Sequence, residues 1–222
     1  TTWQYSCYNG SSYTSSQDYL LSYYYYIPSS VKSVTITNQS EIKVAAFNGC
    51  THIENVKYSM GITGIGTAAF QNCENLLNLN SDVNGKIDLN GEYTAIGGYA
   101  FKNCELINDV SIPTGVLTIG EYAFENLAIT ALVIPDTVET IHIGALYSCD
   151  NLQSITLPFT GKSEGVSAYE AVLGFIFGYT TKQGSAHTTS STNFINTSVA
   201  TVEGTTWQYS CYNGSSYTSS QD

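Results

Sequence analysis

The chain has 222 residues, 42% of them hydrophobic, and a formal net charge of −11. That is apolar enough to bury a core, which excludes disorder throughout, and too acidic to suit nucleic acid or an anionic membrane. All seven basic residues are lysines, so no guanidinium is present to clamp a phosphate bidentately. No apolar run is long enough to cross a bilayer. No secretory leader is visible, and Thr1 reads as a mid-chain residue, so export stays open.

Residues 1–18 recur letter for letter as residues 205–222. Such identity does not arise by chance, and the offset of 204 residues (205 − 1) suggests a tandem array, seen through one full unit and the start of the next. The other account is a duplicated terminal tag or cap, although solenoid caps are usually atypical. Residues 1–30 are rich in Tyr and Ser and read as a connecting segment. In it, Tyr23, Tyr24, Tyr25 and Tyr26 precede Ile27-Pro28, where β-propensity is high and the proline suits an edge or loop. The four tyrosines are either a partner surface, with rings that stack on sugars, or a strand that packs its aromatics over the element that follows.

From Val31 to Phe159 one pattern recurs. Ala46-Phe47-Asn48-Gly49-Cys50 is followed by Ala69-Phe70-Gln71-Asn72-Cys73 and Ala100-Phe101-Lys102-Asn103-Cys104. The variants Ala123-Phe124-Glu125-Asn126-Leu127 and Ala145-Leu146-Tyr147-Ser148-Cys149 come next. An isoleucine stands before each, often as Ile-Gly: Ile42, Ile65-Gly66, Ile96-Gly97, Ile119-Gly120 and Ile141. Mostly apolar residues follow each cysteine, such as Ile53, Val56 and Tyr58 after Cys50. The last residues of the motif fall 23, 31, 23 and 22 positions apart, so the unit is about 23 residues, the length of a leucine-rich repeat.

The fold class expected is a mainly β solenoid spanning 31–159, with short strands such as Val34-Thr35-Ile36, helical or 3-10 turns, and an irregular β-rich connecting module beyond it. No coil buries its apolar face alone, so the coils are stable only as a stack. In that stack Phe47, Phe70, Phe101 and Phe124 form an aromatic spine. Ile-Gly reads as the turn that redirects the chain, and the small alanine lets the next turn sit close. The outward strand row, from Ser33 and Thr35 to Ser154 and Thr156, is mostly small and uncharged, a passive wall more than an adhesive face.

Cys50, Cys73, Cys104 and Cys149 share one repeat position, which Leu127 fills in another copy. A slot that takes Cys or Leu is apolar and buried, and free cysteine behaves as a small hydrophobe. With the phenylalanines these four make up the structural core ladder. A rung spacing of about 5 Å would also let neighbouring cysteines bridge. Cys7 and Cys211 lie outside the ladder, and their redox state is open. Neither Cys-x-x-Cys nor clustered histidines accompany them, so no metal site is expected.

The 31-residue step holds about eight extra residues within 81–92, read as a loop that bulges from one face. Its Asp88-Leu89-Asn90-Gly91-Glu92 echoes a calcium loop but lacks the later bidentate Glu. Beyond Phe159 the repeat stops. Residues 160–204 read as a connecting module with one short helix over 168–173, and 205–222 begins the next unit. Sequons at Asn9, Asn38, Asn196 and Asn213 are candidate glycosylation sites. With the Ser/Thr-rich loops they favour an extracellular location.

In its Ile-Gly-x-x-Ala-Phe-x-x-Cys-x-x-Leu pattern, over residues 31–158, the chain resembles the BspA-like, Treponema pallidum-type leucine-rich repeat surface proteins. Leu127 in place of Cys and Leu146 in place of Phe depart from the pattern and suit apolar slots. The resemblance implies a secreted or surface-exposed protein used in adhesion or in extracellular structures. It identifies no ligand and transfers no catalytic residue.

His52, His142 and His187 are far apart in sequence, and a carboxylate three residues before a histidine occurs once, as Glu139 before His142. No nucleophile elbow or phosphate loop is present, so neither catalysis nor a cofactor is expected. The function expected is structural: tandem extracellular blocks forming a fibre or cell-surface stalk, with copies of itself head-to-tail as partners. The alternative is an adhesin that recognises a glycan or a host surface protein. Nucleic acid and membrane insertion belong to neither reading.

Overall fold

The computed structural model describes residues 2–8, 21–58, 62–89, 91–166 and 168–178, and short strands at 186–187, 198–202, 205–209 and 219–220. For 2–8, 21–25, 168–169 and the strands after residue 185 it describes the backbone. In chain order the strands are β1 (Thr2–Tyr8), β2 (Leu21–Ile27), β3 (Ser33–Ile36), β4 (Asn55–Tyr58), β5 (Gly64–Ile65) and β6 (Asn78–Leu79). Next come β7 (Lys86–Asp88), β8 (Ala95–Ile96), β9 (Asp109–Ser111), β10 (Thr118–Ile119), β11 (Ala131–Val133), β12 (Thr140–Ile141) and β13 (Ser154–Thr156). The last four are β14 (Ala186–His187), β15 (Ser198–Val202), β16 (Thr205–Tyr209) and β17 (Ser219–Ser220).

Strands β3 to β13 wind a parallel β-solenoid. One wall is a five-stranded sheet in the order β3-β4-β6-β7-β9, continued by the pair β11-β13; the other is β5-β8-β10-β12. Period-2 alternation turns alternate residues of the strands inward: Val56, Tyr58, Leu79, Ile87, Val110 and Leu132 are buried on the first wall, and Ile65, Ile96, Ile119 and Ile141 on the second.

The third side of each coil is the Ala-Phe segment. It is neither α nor 3-10 helix but a run of consecutive turns. In the first copy the amides of Ala46, Asn48 and Cys50 close turns onto Lys43, Ala45 and Phe47, while those of Ala45, Phe47 and Gly49 donate to Thr67, Ala69 and Gln71 of the next coil. The amides therefore alternate between closing a turn and binding the neighbouring rung, which satisfies a backbone that would otherwise be buried unpaired. Two residues per run take positive φ, the second of them Gly49, Asn72, Asn103, Asn126 or Ser148, residue types that tolerate this region at turns.

The Ile-Gly glycines have a different reason from the one the sequence suggested. Gly66, Gly97 and Gly120 are not among the positive-φ residues. A Cβ on Gly97 would stand 2.4 Å from the Thr67 amide nitrogen, and one on Gly120 2.3 Å from that of Gly98. Glycine sits there because the neighbouring coil's backbone leaves no room for a side chain.

The extra residues of the long step do not bulge as a loop. They supply β7, which enters the first wall between β6 and β9, with Ile87 and Leu89 fully buried. Ile87 and Leu89 alternate with the polar Lys86 and Asp88, a strand pattern inside a Gly- and Asn-rich segment.

The repeat motif ends near Phe159, but the hydrogen-bond ladder runs one rung further. The Ile141 amide donates to Lys162, Gly144 to Phe175 and Leu146 to Ile176. The helix expected over 168–173 is two 3-10 helices, Ala168–Ala171 and Leu173–Phe177, and Ile176 in the second is fully buried. Residues 161–166 and 168–177 thus cover the C-terminal end of the solenoid.

Candidate interaction surface

Behind the surface runs the aromatic spine. Phe47, Phe70, Phe101 and Phe124 stack nearly parallel, with centroid spacings of 4.9, 5.4 and 5.9 Å. Phe70, Phe101 and Phe124 are fully buried, while Phe47, at the first coil, is only partly so. Beside the spine, Cys50, Cys73, Cys104 and Cys149 are buried free thiols. The Sγ of Cys73 donates to the Phe47 carbonyl at 3.0 Å, Cys104 to Phe70 at 3.2 Å and Cys149 to Phe124 at 3.1 Å. Burial pushes Cys50 and Cys149 up to about 11 and raises Cys73 and Cys104 as well. A thiol held protonated is a poor nucleophile, so the ladder is packing and not a reactive site.

The outer faces are ion-paired from coil to coil. Lys32 meets Glu54 at 3.0 Å, Lys57 meets Asp82 at 2.5 Å, Lys86 meets Asp109 at 3.5 Å and Lys102 meets Glu125 at 2.9 Å. Lys43 and Lys162 pair with Glu41 and Glu170, so each of the six lysines among the described residues has a carboxylate. The surplus surface charge is acidic. Of the outward row, Asn78 is buried; it donates to Asn55 at 2.8 Å. Val133 is its most exposed apolar side chain, at 62%.

Two polar ladders were not singled out in the sequence. Asn126 donates to Asn103 at 3.2 Å, and Asn103 to Asn72 at 2.8 Å, all three at positive-φ turn positions. The recurrent Asn before the Cys slot was the available signal. Tyr99 and Tyr122 stack at 5.4 Å, and Tyr147 meets Tyr122 edge-on at 5.9 Å. The Lys102 ammonium lies over Tyr99, 5.6 Å from its centroid. Because the Tyr99 and Tyr122 rings spend faces on each other, this row is not the open stacking platform that a sugar needs. Inside, Tyr93 donates to the Tyr58 hydroxyl, which donates to the Asp88 carbonyl at 3.3 Å; burial raises both phenols, Tyr58 to about 12.

The other sequence candidates are scattered. Among Tyr23–Tyr26, all within β2, the side chain of Tyr26 is described, and it is 58% exposed. Asn38 is exposed; Asn9, Asn196, Asn213 and Cys211 lie outside the described residues, and Cys7 is described only as backbone in β1. His52 is buried, with neither ring nitrogen hydrogen-bonded among the described residues, whereas Glu139 is exposed and His142 partly buried. No group of three or more His, Cys, Asp or Glu is placed to hold a metal among the described residues, and no helix there is long and apolar enough to cross a membrane.

A family model described as a BspA-type leucine-rich repeat region matches residues 18–88 and 80–215, in six copies. A search of curated proteins finds no match. Among solved structures, a leucine-rich repeat protein from Bacteroides ovatus is similar at a TM-score of 0.51 and 21% identity, covering 66% of this chain and 39% of that one. A leucine-rich cell surface protein from Faecalibacterium prausnitzii scores 0.35 at 21% identity, over 62% of this chain and 50% of that one. The T. pallidum leucine-rich repeat protein scores 0.43 at 22% identity, over 56% and 69%. The chain therefore spans half or less of the first two proteins' length.

Proposed function

Because this chain belongs to the BspA-type leucine-rich repeat family, we propose that it is a non-catalytic structural protein of the cell exterior, a block in a tandem fibre or surface stalk. The observation that carries the reading is the letter-for-letter recurrence of residues 1–18 at 205–222. The covered C-terminal end of the solenoid refines it. With 161–166 and 168–177 laid over the last coil, blocks join through their connecting segments, not by coil-on-coil stacking. Ion pairing of the described lysines within the block also suits a wall more than a charged docking face. The sequons and the Ser/Thr-rich composition favour the exterior location.

The test is the mass of the natural material on a denaturing, reducing gel after deglycosylation. A mass far above 24.0 kDa, with long uniform filaments in negative stain, is expected. A single species near that mass without filaments overturns the fibre. Ligand capture by that species, lost when Tyr23–Tyr26 are replaced by alanine, would make it an adhesin for a glycan or a host protein instead.

A further inference from the structure

The duplicated sequence pairs with two different strands. As β1, Thr2–Tyr8 lies antiparallel to β2, with Thr2 opposite Ile27 and Tyr8 opposite Leu21. As β16, Thr205–Tyr209, the copy of residues 1–5, lies antiparallel to β15, with Thr206 (the copy of Thr2) opposite Thr201 and Gln208 (the copy of Gln4) opposite Val199. Each is a two-stranded sheet among the described residues, so one edge of each strand lacks a strand partner there. β16 also packs against the 3-10 helix Leu173–Phe177, which belongs to the covered end of the solenoid.

A strand has two hydrogen-bonding edges, and successive residues point their amides to opposite ones. Only Glu203 and Gly204 separate β15 from β16. In a two-residue hairpin the flanking pair, here Val202 and Thr205, is the hydrogen-bonded one. Thr205, Trp207 and Tyr209 then bond toward β15, which leaves the edge of Thr206 and Gln208 for another strand. By the 204-residue offset these are Thr2 and Gln4 of β1. A strand bonded to β15 by one edge and to β2 by the other, with Thr2 and Gln4 facing β2, gives the order β15, shared strand, β2, antiparallel throughout.

We propose that Thr2–Tyr8 of a second copy takes the place of β16 on β15, so that it becomes the central strand of a three-stranded sheet shared by two blocks. The exchange swaps one strand for another of the same sequence, so pairing to β15 is kept, and the open edge of β1 is covered while β16 is released; this is the logic of domain swapping. Where blocks are covalently continuous, the same sheet forms within the chain. The proposal rests on the head-to-tail reading above and names its joint.

The test is a register-specific cross-link in the full chain. In a Cys7→Ser, Cys211→Ser background, Thr2→Cys is combined with Thr201→Cys, the residue that would face it across copies. Oxidation is expected to give a disulfide-linked ladder of multimers that grows with protein concentration. Val199→Cys in place of Thr201→Cys lies two residues off register, about 7 Å along the strand, and should link about tenfold less. No link, or equal linking at both positions, overturns the proposal. Light scattering of the unsubstituted chain separates the two readings. Multimers without the register-specific link leave head-to-tail assembly standing and remove this joint. A monomer at every concentration, with natural material near 24.0 kDa, removes both.

Discussion

The Cys104 thiol donates to the carbonyl of Phe70 in the preceding coil, at 3.2 Å. Repeated at Cys73 and Cys149, this contact explains why a slot that Leu127 can fill is usually cysteine. The side chain is apolar enough for the core and still offers a weak donor. In the native protein, Cys50, Cys73, Cys104 and Cys149 should resist alkylation at pH 8 and react only after unfolding. Mass spectrometry of labelled peptides reads this, and rapid native labelling at any of the four would contradict it.

The same burial ties stability to alkaline pH. The folded state holds these thiols protonated, while in the unfolded chain they ionise near pH 8.5. A pKa raised by folding gives stability that is complete below the unfolded value and lost as pH rises through the folded one. For Cys50 and Cys149 that window runs from roughly 8.5 to about 11. By pH 10 the loss should be on the order of 1–2 kcal/mol per thiol. Urea denaturation at pH 7 and pH 10 measures it; equal midpoints would show that the thiols are solvated in the fold.

Phe101 stacks between Phe70 and Phe124 and is fully buried, whereas Phe47 has one stacked neighbour and is partly exposed. Phe101→Ala should cost about 3–5 kcal/mol, the range for a buried Phe. Phe47→Ala should cost about half as much or less, since solvent already reaches the site. Chemical denaturation of the two variants decides it. Equal losses would mean that the spine does not end at the first coil.

The sequence made the coils legible because their inward residues repeat in register; Phe70, Cys73 and Leu76 could be placed on the core from spacing alone. It was less informative where one letter serves two physical purposes. The Ile-Gly glycines looked like turn residues, yet Gly97 is required by the backbone of the preceding coil, a contact that no local pattern encodes. Of the two left-handed positions in each run, the first fell instead on residues such as Ala68, Tyr99 and Tyr122, which give no such signal. The inserted strand β7 was obscured because its Gly- and Asn-rich flanks resemble a loop, while Ile87 and Leu89 acquire partners only once the wall is assembled. Little could be read at the surface, since the pairing of Lys102 with Glu125 depends on coil spacing and not on adjacency in sequence.

Gly97 and Gly64 make a direct test of close approach. A methyl on Gly97 would meet backbone atoms of Gly66 and Thr67 at 2.4–2.8 Å, whereas on Gly64 the nearest atom is the Ala95 carbonyl oxygen at 3.7 Å. Backbone cannot step aside as a side chain does, so Gly97→Ala should part the coils and cost about 3 kcal/mol. Gly64→Ala should stay within about 0.5 kcal/mol of the parent. Thermal melts of both variants test this, and a harmless Gly97→Ala would mean that the coils are spaced more widely there.

Asn103 combines two roles that substitution can separate. Its backbone sits at φ 60°, a region that costs roughly 1–2 kcal/mol for most residues with a Cβ, and its amide links Asn126 to Asn72. Asn103→Gly relieves the backbone but removes two side-chain hydrogen bonds, each worth about 0.5–1.5 kcal/mol net. It also leaves the Asn72 and Asn126 amides to find water, which is accessible because the ladder is only partly buried. Asn103→Ala removes the same bonds and keeps the backbone penalty. The alanine variant should therefore be less stable than the glycine variant by about 1 kcal/mol, with both below the parent. If the two melt together, the turn strain is negligible and the ladder alone selects asparagine. If the glycine variant matches the parent, the ladder contributes nothing and the turn conformation alone accounts for the residue.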